Sequence, residues 1–143
     1  MGREIRLVNL RLIEAEIRHY HDTIQELQEL EREIAAPSII GDFSERIPST
    51  SPGDSTAKQA LHMMTSTELL ELRRRVEAIE RMLGILKAHP EQGRYELIKL
   101  TYWSNGRCNV EGICRKLKIS PRTYHRWKRE ALEIIGERLG WKI

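Results

Sequence analysis

Cysteine, aromatic residues and long apolar runs are all scarce in this chain of 143 residues. Its two cysteines, Cys108 and Cys114, are six positions apart without a C-x-x-C motif, which excludes a secreted disulfide framework and disfavours structural zinc. No apolar run approaches the roughly 20 residues that span a membrane, and the stretch MGREIRLVNL lacks a signal-peptide core. We therefore expect reduced thiols in a cytoplasmic protein that contacts no membrane.

Residue patterns that support catalysis are also lacking. The sequence shows no cluster of carboxylates for metal ions, no tyrosine nucleophile with basic companions and no nucleophile elbow around its serines. His19 and His21 lie on a predicted helix, where neighbouring side chains point about 100° apart and these two cannot converge on one ion. We expect no enzymatic activity, no cofactor and no bound metal.

Positive and negative charges are distributed unevenly along the chain. From Arg94 onward there are twelve basic and five acidic residues, whereas the preceding residues include twelve basic and sixteen acidic ones. Such an asymmetry predicts that the basic C-terminal part binds nucleic acid and that the preceding part is an interaction region.

Residues 1–36 are predicted to form a long helix, over about residues 4–35. Its apolar residues alternate steps of three and four, which is a heptad seam. The seam consists of Leu10, Ile13, Ile17, Tyr20, Ile24 and Leu27. Because a helix of this length reaches roughly 45 Å, a seam shared with a second subunit is favoured over packing within the same chain.

A linker and a second heptad helix follow. Residues 37–57 are predicted to be a linker, since residues 37–56 contain three prolines, two glycines and seven Ser or Thr. In residues 58–89 we expect a short helix over 58–64, then a capping box, Thr65-Ser66-Thr67-Glu68, ahead of a firmer helix. The second seam consists of Leu69, Leu72, Val76, Ile79, Leu83 and Leu86. Two seams predict a helical hairpin or, with a second copy, a four-helix arrangement.

Residues 90–143 have the pattern of three short helices. His89-Pro90 breaks the preceding helix and Asn105-Gly106 stops the next one, predicted over residues 91–104. Beyond it the apolar spacing cannot stay on one face of a single helix, and the residues concerned, the predicted core, are Ile113, Leu117, Ile119, Tyr124 and Trp127. Two helices joined by a turn can accommodate this spacing. Asn109 is predicted to cap the first helix, Ser120 is predicted to cap the second, and Pro121 is the first residue of the second helix.

Such a helix-turn-helix places its second helix in the major groove of DNA. Between Arg107 and Arg129 there are eight Lys or Arg residues and one acid, Glu111, a bias typical of a surface that binds phosphates. The candidates for reading base edges are Ser120, Arg122, Thr123, His125, Arg126 and Arg129. The candidates for phosphate contacts are Arg107, Arg115, Lys116, Lys118 and Lys128.

Residues 94–139 carry a family resemblance in the segments YELIKLTYW, VEGICRKLKIS and PRTYHRWKREALEIIGERLG. They resemble the C-terminal half of the RinA and ArpU group of phage transcriptional regulators, whose domain is similar to the promoter-reading part of bacterial sigma factors. Members of that group commonly have Thr-x-x-x-Ile-Ala in the first helix and glycine in the turn, where this chain has Asn109, Cys114 and Lys118. The resemblance implies a phage or prophage activator of late morphogenesis genes.

The sequence thus predicts an all-α protein, with a long N-terminal helical hairpin or coiled-coil region and a C-terminal trihelical helix-turn-helix domain. We expect a sequence-specific regulator of transcription that binds double-stranded DNA in the cytoplasm of a bacterial host. Its other expected partners are host RNA polymerase and a second copy of the chain, bound as a dimer through the N-terminal helices. The alternative is a DNA-packaging adaptor of the small-terminase kind, which also combines such a domain with assembly.

Overall fold

The computed structural model describes residues 2–35 and 52–143. Within these ranges the chain forms six helices and no strand, so the all-α prediction is confirmed. The helices are α1 Gly2–Arg18, α2 Tyr20–Ala35, α3 Pro52–Ala88, α4 Gly93–Tyr102, α5 Val110–Leu117 and α6 Pro121–Leu139. None of the described helices combines the length and the apolarity needed to cross a membrane.

The predicted long N-terminal helix consists of two helices, separated by a turn at His19. The backbone N–H of His19 still donates to the carbonyl of Ala15 at 3.0 Å, so the last turn of α1 is closed. The heptad steps continue with the same spacing on both sides of His19, and for that reason the periodicity gave no sign of the interruption.

Helix α3 begins at Pro52 and continues to Ala88, where the predicted break at His89-Pro90 ends it. Proline suits the first turn of a helix because its missing N–H has no helical partner there. Two predictions were wrong: residues 52–57 are helical rather than linker, and the Thr65-Ser66-Thr67-Glu68 stretch lies inside the helix rather than capping one. The remainder of the predicted linker, residues 37–51, lies outside the described residues.

Contacts between the helices define two compact units. The first contains residues 1–20 and 75–143, and the second contains residues 21–74. In the first unit α1 packs against α6 and α4, and α4, α5 and α6 pack against one another. The first helix of the chain therefore belongs to the same unit as the last three. The predicted division at residues 36 and 90 had placed it in a separate region.

The core of the first unit includes residues from the predicted N-terminal seam. Ile13 and Ile17 are completely buried and Tyr20 nearly so. These residues therefore need no second subunit to cover them, which corrects the expected shared seam at these positions. The largest side chains that are fully buried, besides the two isoleucines, are Ile79, Met82, Leu97, Ile98, Ile113, Tyr124, Leu132 and Ile135.

Polar contacts tie the end of α1 to the neighbouring helices. The indole Nε1 of Trp103 donates to the carbonyl of Ile17 at 2.8 Å, and the Trp103 ring stacks on Tyr20 with centroids 5.7 Å apart. The Tyr20 hydroxyl donates in turn to Glu80 of α3 at 3.3 Å. The end of α4 and the last turn of α1 are thus held together by directional bonds as well as by apolar packing.

The C-terminal tail turns back toward α1. Gly140 ends α6 with a φ of 76°, a left-handed conformation that glycine adopts without steric cost. Trp141 N–H then donates to the carbonyl of Gly136 at 2.8 Å, and Asn9 of α1 donates from Nδ2 to the carbonyl of Lys142 at 2.9 Å. The tail is therefore part of the first unit.

We expect Gly136→Ala to destabilise the protein and Gly84→Ala to stabilise it. A Cβ at position 136 would lie 2.6 Å from the carbonyl oxygen of Trp141 and 3.3 Å from Cδ1 of Ile13, whereas one at position 84 would meet nothing within 4 Å. Overpacking of this kind typically costs about 1–3 kcal/mol, while alanine in an exposed helix position gains up to about 1 kcal/mol over glycine.

Urea or thermal unfolding of the two variants beside the parent chain measures both effects. Equal changes in the two variants would contradict the close approach of the tail to Gly136.

Candidate nucleic-acid interface

Helices α5 and α6 are joined by the turn that the sequence predicts. The Asn109 side-chain Oδ1 accepts the backbone N–H of Gly112 at 2.8 Å, which caps α5 at its start. At the other end Lys118 is left-handed, with φ 58° and ψ 45°, and the N–H of Ile119 donates to the carbonyl of Cys114 at 3.0 Å. Lys118 thus occupies the conformation for which glycine is usual, at a cost of roughly 1–2 kcal/mol.

Helix α6 begins with two hydroxyl groups that bond each other. Ser120 Oγ accepts the backbone N–H of Thr123 at 3.1 Å, and its hydroxyl donates to Thr123 Oγ1 at 3.0 Å. The predicted cap is therefore formed, and Pro121 is the first helical residue. The hydroxyl groups of Ser120 and Thr123 are both engaged at the start of the helix. They are therefore less available to bind bases than the sequence predicted.

The inner side of α6 anchors the helix in the core. Tyr124 and Trp127 are buried, and the Tyr124 hydroxyl lies 3.1 Å from Thr101 Oγ1 of α4. Of the other predicted core residues, Ile113 is buried, whereas Leu117 and Ile119 are half-buried. The reason is their position, because they lie at the end of α5 and in the turn, where fewer neighbours surround a side chain.

A second anchor was missing from the sequence prediction. The Arg94 guanidinium, at the start of α4, lies 5.1 Å from the Trp127 ring centroid and forms an ion pair with Glu130. A Cβ on the preceding Gly93 would come within 3.1 Å of the same ring. Arg94 and Glu130 are 36 positions apart in the chain, so no local spacing could have revealed the contact.

The outer side of α6 presents the predicted arginines. Arg122, His125, Arg126 and Arg129 are all exposed. Within the described ranges no carboxylate pairs with Arg122 or Arg126. Arg129 Nε lies 3.2 Å from Glu133 Oε1, but both side chains are about half exposed, at 54% and 53%. Exposed pairs of this kind contribute at most about 1 kcal/mol, so Arg129 can exchange Glu133 for another acceptor.

Four of the five predicted phosphate contacts have the exposure that such a role needs. Arg107, Arg115, Lys116 and Lys118 are exposed, and no acidic side chain in the described parts of the chain pairs with them. With Arg122 and Arg126 they make a set of six cations, which we call the basic surface. Their neighbourhood in the sequence contains a single acid, Glu111, so the net charge of residues 107–126 is positive.

Lys128 differs from the other candidates. Its Nζ lies 3.1 Å from Glu14 Oε1 of α1, and its side chain is only 25% exposed. Its assignment to phosphate contacts is therefore not supported by its position. The cause is the packing of α1 on α6, a contact between opposite ends of the chain that the local charge pattern could not predict. We expect Lys128 to hold α1 in place.

Each of the two cysteines is next in sequence to a member of the basic surface, and they form no bond with each other. Cys114 is buried in α5 and Cys108 is half-buried, and both are free thiols. No group of three His, Cys, Asp or Glu side chains is gathered as metal ligands would be within residues 2–35 and 52–143.

The chain matches no family model, no curated protein and no solved structure. The resemblance of residues 94–139 to the RinA and ArpU group stays a prediction from the sequence.

We expect Lys118→Gly to leave the stability unchanged or to raise it by up to about 1.5 kcal/mol. Glycine removes the left-handed strain of roughly 1–2 kcal/mol, which its greater freedom in the unfolded chain offsets by about 0.5–1 kcal/mol. The matched variant Lys116→Gly lies inside α5 and should lose about 1 kcal/mol.

Chemical denaturation measures the free energy of unfolding of both variants. Because each variant loses one lysine charge, a difference between them reflects the backbone conformation at the two positions. A loss of stability in Lys118→Gly as large as that in Lys116→Gly would contradict the left-handed turn.

Proposed function

We propose that this protein is a sequence-specific regulator of transcription that binds double-stranded DNA with α6 in the major groove. The observation that carries the proposal is that the guanidinium groups of Arg122 and Arg126 are exposed and have no carboxylate partner among the described residues. They occupy the first turns of a helix that is capped by Ser120 and held from behind by Tyr124 and Trp127. The two helices and their turn have the order of a helix-turn-helix, whose recognition helix contacts base edges with its N-terminal residues.

The spacing of the two arginines suits adjacent base pairs. Residues four apart on a helix lie on the same side and about 6 Å apart along its axis. The base pairs of DNA are stacked about 3.4 Å apart, so the two side chains can reach base pairs one or two steps from each other. A guanidinium can donate two hydrogen bonds to O6 and N7 of guanine, the commonest specific contact in the major groove.

The remaining members of the basic surface have a different role in this proposal. Arg107, Arg115, Lys116 and Lys118 lie on α5, before it and in the turn, where they contact the sugar-phosphate backbone. Contacts of this kind set the position of the protein on the duplex without reading sequence. Each phosphate neutralised steepens the dependence of the binding constant on salt concentration by about 0.9 in logarithmic units.

The biological role follows from the resemblance described for residues 94–139. As a member of the RinA and ArpU group the protein would activate late morphogenesis genes of a phage or prophage, in contact with RNA polymerase of its bacterial host. Selection of bound duplexes from random DNA, mapped onto the source genome, identifies the operator and the genes beside it.

We predict that Arg126→Ala lowers the affinity for the selected operator by about 1–3 kcal/mol and hardly changes the affinity for random DNA. The loss of discrimination follows because the arginine reads a base. Lys116→Ala should weaken both affinities about equally and reduce the salt slope by about one, because a phosphate contact carries no sequence information.

Gel-shift or fluorescence-anisotropy titrations over a range of salt concentrations measure both quantities. Arg138→Ala is the matched control, since Arg138 is exposed in the last turn of the same helix, roughly 18 Å from Arg126 along the helix axis. If Arg126→Ala weakened operator and random DNA alike, Arg126 would not be a base-reading residue. Parent protein that failed to bind duplex DNA at low salt would refute the proposal as a whole.

A further inference from the structure

The outward side of α1 carries large apolar side chains in contact with solvent. Val8 is 54% exposed and Leu12 is 47% exposed. On a helical wheel the midpoint of these two residues lies roughly 140° from the midpoint of Ile13 and Ile17, the side of α1 that packs into the first unit. Helix α1 therefore has two apolar sides, of which the chain itself covers one.

The exposed side has the spacing of a helix pair. Val8, Leu12 and Ala15 are separated by steps of four and three, and in the sequence Ile5 continues the pattern by a further step of three. Such a heptad stripe is what a helix needs to pack along a second helix. We call Val8, Leu12 and the half-buried Ala15 the outer stripe. It differs from the predicted seam, whose residues Ile13, Ile17 and Tyr20 are buried within the chain.

Charges beside the outer stripe favour one particular occupant. Arg11 is exposed, and no carboxylate among the described residues pairs with it. Glu16, five residues later, lies on the other edge of the stripe. Its Oε1 lies 3.0 Å from Arg75 and its side chain is 20% exposed, so Oε2 is the oxygen left for a second cation. In a parallel pair of helices, residues five apart on opposite edges of a heptad stripe meet across the interface.

We propose that the outer stripe binds a second copy of this chain, with the two α1 helices parallel and related by a two-fold axis. Val8 packs on Val8, Leu12 packs on Leu12, and Arg11 of each chain pairs with Glu16 of the other. An antiparallel pair that places Val8 on Leu12 brings the two Arg11 side chains together, and this repulsion disfavours it. The proposal requires no nucleic acid and is independent of the proposed function.

Sedimentation velocity of the full chain without DNA, over a range of concentrations, tests the pairing. The mass should rise from 16.8 kDa toward twice that value, and Leu12→Glu should raise the dissociation constant at least about tenfold, which corresponds to 1.4 kcal/mol. Leu70→Glu is the control, because Leu70 is a more exposed leucine, at 64%, on α3. Its dissociation constant should equal that of the parent chain.

Two results of this experiment would overturn the proposal: a single-chain mass at every concentration, or a dimer that tolerates Leu12→Glu. Leu12 is exposed, so its replacement should leave the circular dichroism spectrum and the DNA affinity of the single chain intact. A failure to dimerise is thereby separated from a failure to bind DNA.

Cysteine cross-linking tests the parallel register. In a chain carrying Cys108→Ser and Cys114→Ala, Val8→Cys and Leu12→Cys should each form disulfide-linked dimers under mild oxidation, since a parallel pair brings each position next to its own copy. Leu70→Cys in the same background should form no disulfide-linked dimer, although it should associate like the parent chain. Cross-linking only when the Val8→Cys and Leu12→Cys chains are mixed would show an antiparallel pair and refute the parallel arrangement.

Discussion

The burial of Ile13 and Ile17 of α1 is the interaction on which the first unit depends. Both side chains are completely excluded from solvent, and they are contributed to a core whose other residues come from α3 through α6. Helices α4, α5 and α6 together contain too few residues to form more than a marginal core of their own. The two isoleucines therefore supply apolar area that the C-terminal helices lack, and the Glu14–Lys128 ion pair adds a polar contact between α1 and α6.

This arrangement lets α6 keep unpaired charge on its outer side. Like charges close together repel, and a helix stabilised mainly by its surface would balance Arg122 and Arg126 with acids. Here Tyr124 and Trp127 are buried, Arg94 lies over the Trp127 ring, and the helix ends are capped. Packing from behind thus carries the stability of α6, which leaves its exposed side available to bind a ligand of opposite charge.

Local signals in the sequence predicted the α5–α6 region well, because caps and turns depend on neighbouring residues. Asn109, Ser120 and Pro121 occupy the predicted positions, and the turn includes Lys118. The errors arose where distant residues decide the outcome. Spacing shows that a helix has an apolar side, but it does not identify what will cover that side, so Ile13 and Ile17 were predicted to meet a second subunit. The contacts of Lys128 with Glu14 and of Arg94 with Glu130 were missed for the same reason.

All three tryptophans of the chain, Trp103, Trp127 and Trp141, lie within the first unit. Each lies at a junction: Trp103 bonds the end of α1, Trp127 contacts the start of α4, and Trp141 folds back on α6. Intrinsic indole emission consequently reports on the first unit alone, whereas far-ultraviolet circular dichroism reports on the helices of both. The two signals followed through one titration give the cooperativity between the units without any added label.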